Sequence, residues 1–348
     1  MPENFRIAIV GAASLRGKEL NEALAESSFA AADFVLMDDE EAIGKLEAVG
    51  DEVTFIQQIT QSSFAHADFT FFTSEPEVTL RHWQTAVRAG SSIIDLSGAL
   101  EAEAGAVVCA PWLQAEAGDA NVPSLDLKTP ATIPAHPAAL ALALLLARAK
   151  ATGAIRSAFA TVLEPASEYG RAAMDELHQQ TVNLLSFQSL PKLLYDTQVA
   201  FNAIPVAGEE AKIHLRATEA RIRRHYALLS AGKLPKVAVQ LVHAPVFHGH
   251  TFSIGLEFER PVAPEQLSAA LEVGGHVEVT QSDEDVPSNL AAAGQEDILV
   301  QVRPADDQSG PVTRYWLWAA ADNLKLTALN AVACAGEMRR LRPRGQVQ

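Results

Sequence analysis

The sequence predicts an α/β protein of two parts: a Rossmann-like, doubly wound parallel sheet, then an α+β domain for dimerisation and substrate. Three observations predict it. Short apolar runs alternate with helical stretches over roughly the first third of the chain. A glycine-bounded turn joins the first run to the first helix. After Ile155 the pattern changes to strands that come in pairs.

Phe5 to Val10 is a β-branched run, the mark of a strand buried on both faces. Gly11–Gly17 is a turn, and Lys18 to Glu26 has helical spacing. Phe34 to Met37 is the second strand, closed by the acidic residues Asp38 to Glu41. Phe69 to Thr73 and Ser92 to Leu96 are further strands, with a helix over Val78 to Ala89 between them. Ala138 to Ala147 is the longest apolar stretch, well short of the ~20 residues that span a bilayer, so it reads as a buried helix. In the second part Ile155 to Leu163 is a long strand, followed by helices over Gly170 to Leu185 and Ala211 to Leu229. Val237 to Pro245 and Thr251 to Glu259 read as an antiparallel pair, with two more strands over Ile298 to Arg303 and Arg314 to Ala320. A last helix, Asn323 to Met338, returns to the first part. The expected division is 1–131 with 322–348 for the dinucleotide-binding domain and 132–321 for the second domain.

With 348 residues the chain can build two cores, and 48% hydrophobic against 20% charged residues is ordinary for a soluble globular protein. A formal net charge of -16 disfavours a phosphate-backbone partner, so nucleic acid is not expected. Two cysteines supply neither a disulfide framework nor zinc spacing, and no signal peptide is apparent; a cytoplasmic location without a membrane partner is expected.

Gly11-Ala12-Ala13-Ser14-Leu15-Arg16-Gly17 follows a strand and opens a helix, where backbone N–H groups and a helix N-terminus can hold a pyrophosphate. Ser14 replaces the usual middle glycine, and a positive φ there would cost it more than glycine. A plain strand-to-helix turn is the alternative. Asp38-Asp39-Glu40 ends the second strand, where a carboxylate bonds a ribose 2′-hydroxyl and repels a 2′-phosphate; a solvated acidic loop is the alternative. The candidate cofactor-binding residues are Gly11, Ala12, Ser14, Leu15, Gly17, Asp38 and Ser74. The expected cofactor is NAD(P), NAD favoured over NADP.

Glu164-Pro-Ala-Ser-Glu-Tyr-Gly-Arg-Ala-Ala-Met-Asp-Glu-Leu177 resembles the Q-A-V-S-G-A-G-x-x-A-M-D-E-L segment of aspartate-semialdehyde dehydrogenases. Other landmarks follow in order: the Gly11–Gly17 loop, Gly44-Lys45, Asp95 to Leu100 against D-N-S-S-A-F, and Glu209 to Lys212 against E-E-x-K. Pro245 to His250 resembles P-V-x-x-G-H, and Asp322-Asn323-Leu324 with Ala328 to Val332 the last helix. The resemblance covers nearly the whole chain. It implies reduction of aspartyl phosphate with NADPH through a cysteine thioester, with a histidine moving the proton.

Checked residue by residue, that chemistry lacks its sulfur. The family's P-N-C segment aligns with Pro134-Ala135-His136, which puts His136 at the nucleophile position; counting back from Glu164 puts Pro137 there instead. Thioester chemistry needs a sulfur that attacks as thiolate and leaves readily. Cys109 and Cys334 sit elsewhere, and each reads as a buried core residue. Glu164 replaces the glutamine that assists the cysteine, Glu101 the arginine that grips phosphate, and His243 the arginine that holds the substrate carboxylate. His250 keeps the proton-shuttle position. Glu209 and Lys212, spaced i, i+3, keep the substrate-contact motif and would share a helix face. The catalytic positions are thus His136, Glu164 and His250; the substrate-binding positions are Glu101, Glu209, Lys212 and His243. His243, His248 and His250 lie close in sequence, but in a single strand 243 would point away from the other two, and no metal is expected.

Three functions are compatible with this pattern. The chain is a homodimeric binding or regulatory protein, with a small-molecule or protein partner, that has lost the family's reaction. Alternatively it is an oxidoreductase of this type with an altered substrate, or a weak but authentic aspartate-semialdehyde dehydrogenase.

Overall fold

The structure is a computed structural model of the chain and describes residues 5–38, 41–49, 52–113, 125–280, 285–306 and 310–341. Two compact units emerge: 1–135 with 327–348, and 136–326.

Unit 1 runs β1 (Arg6–Val10), α1 (Leu15–Ala25), β2 (Asp33–Asp38), β3 (Leu46–Val49), β4 (Glu52–Phe55), β5 (Gln57–Gln58), β6 (Phe69–Phe72), α2 (Pro76–Arg88), β7 (Ser92–Asp95), β8 (Val107–Cys109) and β9 (Thr132–Pro134). Among the described residues its main sheet has the order β5-β2-β1-β6-β7-β9-β8, every pair parallel. The central strands are apolar throughout because both faces are covered: Ile7, Ile9, Leu36, Phe69, Phe71 and Ile94 share a core with Leu20 and Leu24 of α1. The chain leaves β1 toward β2 on one side and returns at β6 on the other. The carboxyl ends of β1 and β6 therefore flank the switch point, where open α/β sheets bind ligands. The β3–β4 ribbon, which the sequence pattern does not announce, lies beside α1 through Lys18–Glu47 at 2.9 Å and the Asn21 amide on the Ala48 carbonyl at 3.0 Å.

Unit 2 contains α3 (Pro137–Thr152), β10 (Ile155–Glu164), α4 (Gly170–Leu185), α5 (Leu215–Ser230), β11 (Val237–His243), β12 (His250–Val262), α6 (Pro264–Glu272), β13 (Val277–Val279), β14 (Ile298–Pro304) and β15 (Val312–Ala321). The mixed sheet has the order β11-β10-β12-β15-β14-β13. Phe252, Ile254, Leu256 and Phe258 of β12 are buried on one face, alternating with Ser253 and Gly255 on the other. The apolar α3 packs against α5 and α6. Helix α7 (Asn323–Leu341) begins in unit 2 and ends in unit 1, where Ala328, Ala331 and Ala335 are small enough to lie close on the sheet core.

Two expectations are corrected. Residues 237–245 and 251–259 do not pair with each other: β10 lies between them, parallel to β11 and antiparallel to β12. The connecting residues 244–247 are bonded to the chain around the end of β10, with Ala244 N–H on Glu164, Ala166 N–H on Val246 and Ser167 N–H on Phe247. That pairing forbids a tight hairpin. Helix α5 also starts at Leu215, four residues later than the spacing suggests. Lys212 and Ile213 spend their N–H groups on the Leu194 carbonyl, which holds that segment in a turn.

Candidate functional site

The nucleotide-type loop is set by close packing. Gly11 has φ 89°, and a Cβ there would run into the Ser74 backbone; one on Gly17 would run into the Gly11 carbonyl. Ser14 carries no strain, because it is the N-cap of α1 at φ -66° and ψ 162°. Its hydroxyl accepts from Gly17 N–H at 2.9 Å and donates to the Thr73 carbonyl at 3.2 Å. The Asp38 carboxylate accepts the Ala13 N–H at 2.6 Å, which fixes an acidic group at the end of β2. Asp39 and Glu40 lie outside the described residues. The buried Ser74 hydroxyl has no partner among the described residues, an orphaned polar group beside Gly11 that suits a polar ligand at the switch point. The loop therefore fits a dinucleotide.

The second constellation belongs wholly to unit 2. His136 is the N-cap of α3: its Nδ1 accepts from Ala138 N–H at 3.2 Å, and its own N–H donates to His225 Nδ1 at 2.9 Å. His136 Nε2 lies 3.5 Å from Glu168 Oε1. Glu168 Oε2 accepts from the Asn323 amide at 3.1 Å. Asn323 cannot flip, since its Oδ1 already accepts from the Ser167 hydroxyl and from Gly249 N–H, each at 3.1 Å. The His250 ring is 5.9 Å from that of His136, and neither of its nitrogens has a partner among the described residues.

Glu164 ends β10 beside His243 of β11, and one register step beyond the Leu163–Thr251 pair places His250 on its other side. The three thus form a row on the helix-covered face. This corrects the expectation that His243 points away from His250, which assumed one continuous strand. Glu164 accepts from the Tyr169 hydroxyl at 2.7 Å, and Tyr169 also bonds Thr218 at 2.9 Å. Burial and the neighbouring Glu164 push the Tyr169 phenol well above its usual range. His243 lies against Tyr195 with ring centres 4.6 Å apart and planes tilted by 36°, and burial drives its pKa down to about 4. Burial, with Arg221 and Arg224 adding repulsion, drives His225 down to about 3. Burial also lowers His250, against opposing pulls from Glu168 and Asp322. These three imidazoles are neutral at pH 7.

Tyr195 is delivered by the polar side of α4. Glu176 accepts the N–H groups of Leu194 and Tyr195, and Gln180 accepts those of Val199 and Ala200 while donating to Pro191 and Thr197. The remaining sequence candidates are not members of the row. Glu209 and Lys212 are exposed in the turn before α5 and do not share a helix face. His248 is outside any strand, and Glu101 belongs to a turn of unit 1. Cys109 and Cys334 are both fully buried in unit 1, the Cys334 thiol 3.8 Å from the Cys109 carbonyl and pushed well above its usual pKa by burial. Sequence reasoning missed Glu168, Asn323, Tyr195 and His225. Only Glu168 and Tyr169 carried a signal, as bulky residues where the resembled segment has glycine and alanine.

Two family profiles match the chain: the semialdehyde dehydrogenase NAD binding domain over residues 6–120, and the semialdehyde dehydrogenase dimerisation domain over residues 146–326. The chain belongs to the semialdehyde dehydrogenase family. A USG-1 protein homolog of Azotobacter vinelandii is 30% identical over 333 residues, 94% of this chain and 96% of that one. The aspartate-semialdehyde dehydrogenase of Rickettsia bellii is 28% identical, covering 97% and 98%. Among solved structures, a probable aspartate-semialdehyde dehydrogenase from Pseudomonas aeruginosa superposes with a TM-score of 0.80 at 29% identity, over 96% of this chain and 98% of that one. Aspartate semialdehyde dehydrogenase II of Vibrio cholerae shares the fold with a TM-score of 0.83 at 22% identity, over 97% and 99%. Within this family member, the NAD-binding profile falls in unit 1 and the dimerisation profile in unit 2.

Proposed function

We propose that this semialdehyde dehydrogenase relative no longer carries out the thiol-dependent, NAD(P)-linked reaction and acts as a homodimeric binding or regulatory protein of the cytoplasm. The observation that carries this reading is that His136 caps α3 with Pro137 beside it, the two positions at which the resemblance places the family nucleophile, and that both cysteines are buried in unit 1. An N-acylimidazole hydrolyses readily and gives hydride no thioester to reduce. Loss of one oxyanion-type contact alone costs about 10²–10³ in rate, so loss of the sulfur together with two anion-binding arginines leaves no useful turnover. Tyr169 supports the same reading, because it donates to Glu164 and so occupies the carboxylate that replaces the assisting glutamine.

Unit 1 retains the means to hold NAD(P), through Gly11, Ala12, Ser14, Leu15, Gly17 and Ser74, with Asp38 favouring NAD. The cofactor would supply hydride transfer when bound. The dimer contact is assigned to the helix-free face of the unit 2 sheet. There Phe159, Gly255 and Trp316 align across three strands, Phe159 and Trp316 remain exposed, and a cavity of about 500 Å³ is lined by Ser253, Val286, Gln301, Arg303, Trp316 and Trp318. A second copy covers it, in keeping with the dimerisation profile over this unit. A second reading, an altered substrate, is favoured by one fact only: His250 keeps both nitrogens available to move a proton.

The test is phosphate-dependent NAD or NADP reduction by the purified protein with aspartate semialdehyde. No turnover above background is expected, whereas turnover that disappears in His136→Ala overturns the reading. Trp316→Glu is expected to halve the mass seen by light scattering; an unchanged mass moves the dimer contact elsewhere.

A further inference from the structure

The segment Ala166–Tyr169 is a single 3-10 turn, and it turns the Glu168 side chain inward rather than to solvent. Both carboxylate oxygens are addressed by groups whose orientation is fixed by something else. Asn323 can only present its NH2 to Oε2, since two donors already hold its carbonyl oxygen. His136 Nδ1 accepts from Ala138 N–H, so the neutral ring carries its proton on Nε2, the atom that faces Oε1 at 3.5 Å. Such pre-set donors are a recognition device for a planar anion with two oxygens. We propose that His136 and Asn323 form a carboxylate-binding site that the chain fills with its own Glu168. A small carboxylic acid, as its anion, is the ligand this site takes when that side chain is withdrawn.

The two groups facing Glu168 donate rather than accept, so an ammonium finds no partner at these positions. The spacing matches one carboxylate, with the Asn323 amide donating to one oxygen at 3.1 Å and His136 Nε2 3.5 Å from the other. His250, 5.9 Å from His136, borders the site and has no partner among the described residues, so it remains able to bond a ligand larger than the Glu168 carboxylate. Gly170 follows the turn at φ 81°, a conformation that favours glycine and turns the chain from the Glu168 segment into α4. The inference stands whether or not the protein turns over any substrate.

The experiment removes the tethered carboxylate and supplies a free one. Full-length Glu168→Ala is melted with increasing sodium acetate and, at matched ionic strength, with sodium chloride. Acetate at about ten times its Kd is expected to raise the melting temperature of the variant by a few degrees, saturably. Wild type is expected not to respond, and chloride to act on neither. No rise with acetate, an equal rise in wild type, or the same rise with chloride overturns the proposal. Glu168→Ser, which keeps a polar atom for Asn323, gives the same readings if the alanine variant does not fold. Failure of acetate in the buffer to recover either variant also counts against it.

Discussion

The loop after β1 and the cluster around His136 both differ from the motifs they resemble, with opposite results. In the loop, Ser14 stands where glycine is usual, yet its φ of -66° is one any residue adopts, and its hydroxyl caps α1. The substitution kept the backbone and left the neighbouring Ser74 hydroxyl for a ligand. In the cluster, Glu168 and Tyr169 stand where the resembled segment has two small residues. Each brought a polar side chain whose hydrogen bonds run to other parts of unit 2, Glu168 to Asn323 and Tyr169 to Glu164 and Thr218. A substitution that preserves backbone conformation preserves capacity to bind. One that adds polar bulk to a buried site consumes it.

Three changes sharpen or break this contrast. Asn323→Ala removes the group that bonds Ser167, Gly249 and Glu168 together, leaving buried donors and a carboxylate unsatisfied. It is expected to cost about 4 kcal/mol in urea unfolding; a loss below about 1 kcal/mol means the cluster is not self-satisfied. The next effect is on pH dependence. His243 has a folded pKa of about 4 against 6.5 when exposed, so it is neutral in both states at pH 7. As pH falls from 6.5 toward 4 the unfolded chain takes up a proton that the folded chain refuses, and stability is lost across that window. The loss from this residue is on the order of 3 kcal/mol, and His243→Phe should flatten the slope of the unfolding midpoint against pH. An unchanged slope means that His243 is protonated in the fold. The smallest effect concerns the loop. Asp38→Ala removes the carboxylate held by Ala13 N–H and is expected to weaken NAD binding about tenfold, or roughly 1.4 kcal/mol, while NADP binding holds or improves. Calorimetric titration with each nucleotide reads it, and equal weakening of both removes Asp38 from the ribose contact.

The parallel sheet was legible because its strands are buried on both faces and so read as uninterrupted apolar runs, such as Ile7 to Val10. The helix over Gly170 to Leu185 was legible to the residue. The partner of β11 was not, because Val237 and Thr251 look like two arms of a hairpin, and only the non-local bonds of residues 244–247 to the end of β10 prevent it. At the site, His136 and His250 were singled out from the resembled motifs, and their rings come within 5.9 Å of each other. Their partners could not: Asn323 and His225 approach from segments far along the chain, and Tyr195 is placed by buried polar groups of α4 that look like an ordinary solvated face.

The central claim is that His136 does not replace the thiol as acceptor of an acyl group from an acyl phosphate. Incubation with acetyl phosphate and NAD, followed by rapid acid quench and intact-mass analysis, tests it directly. The account predicts an unmodified mass and phosphate release no faster than in buffer. An acetyl adduct, or accelerated phosphate release, that is abolished in His136→Ala would contradict it.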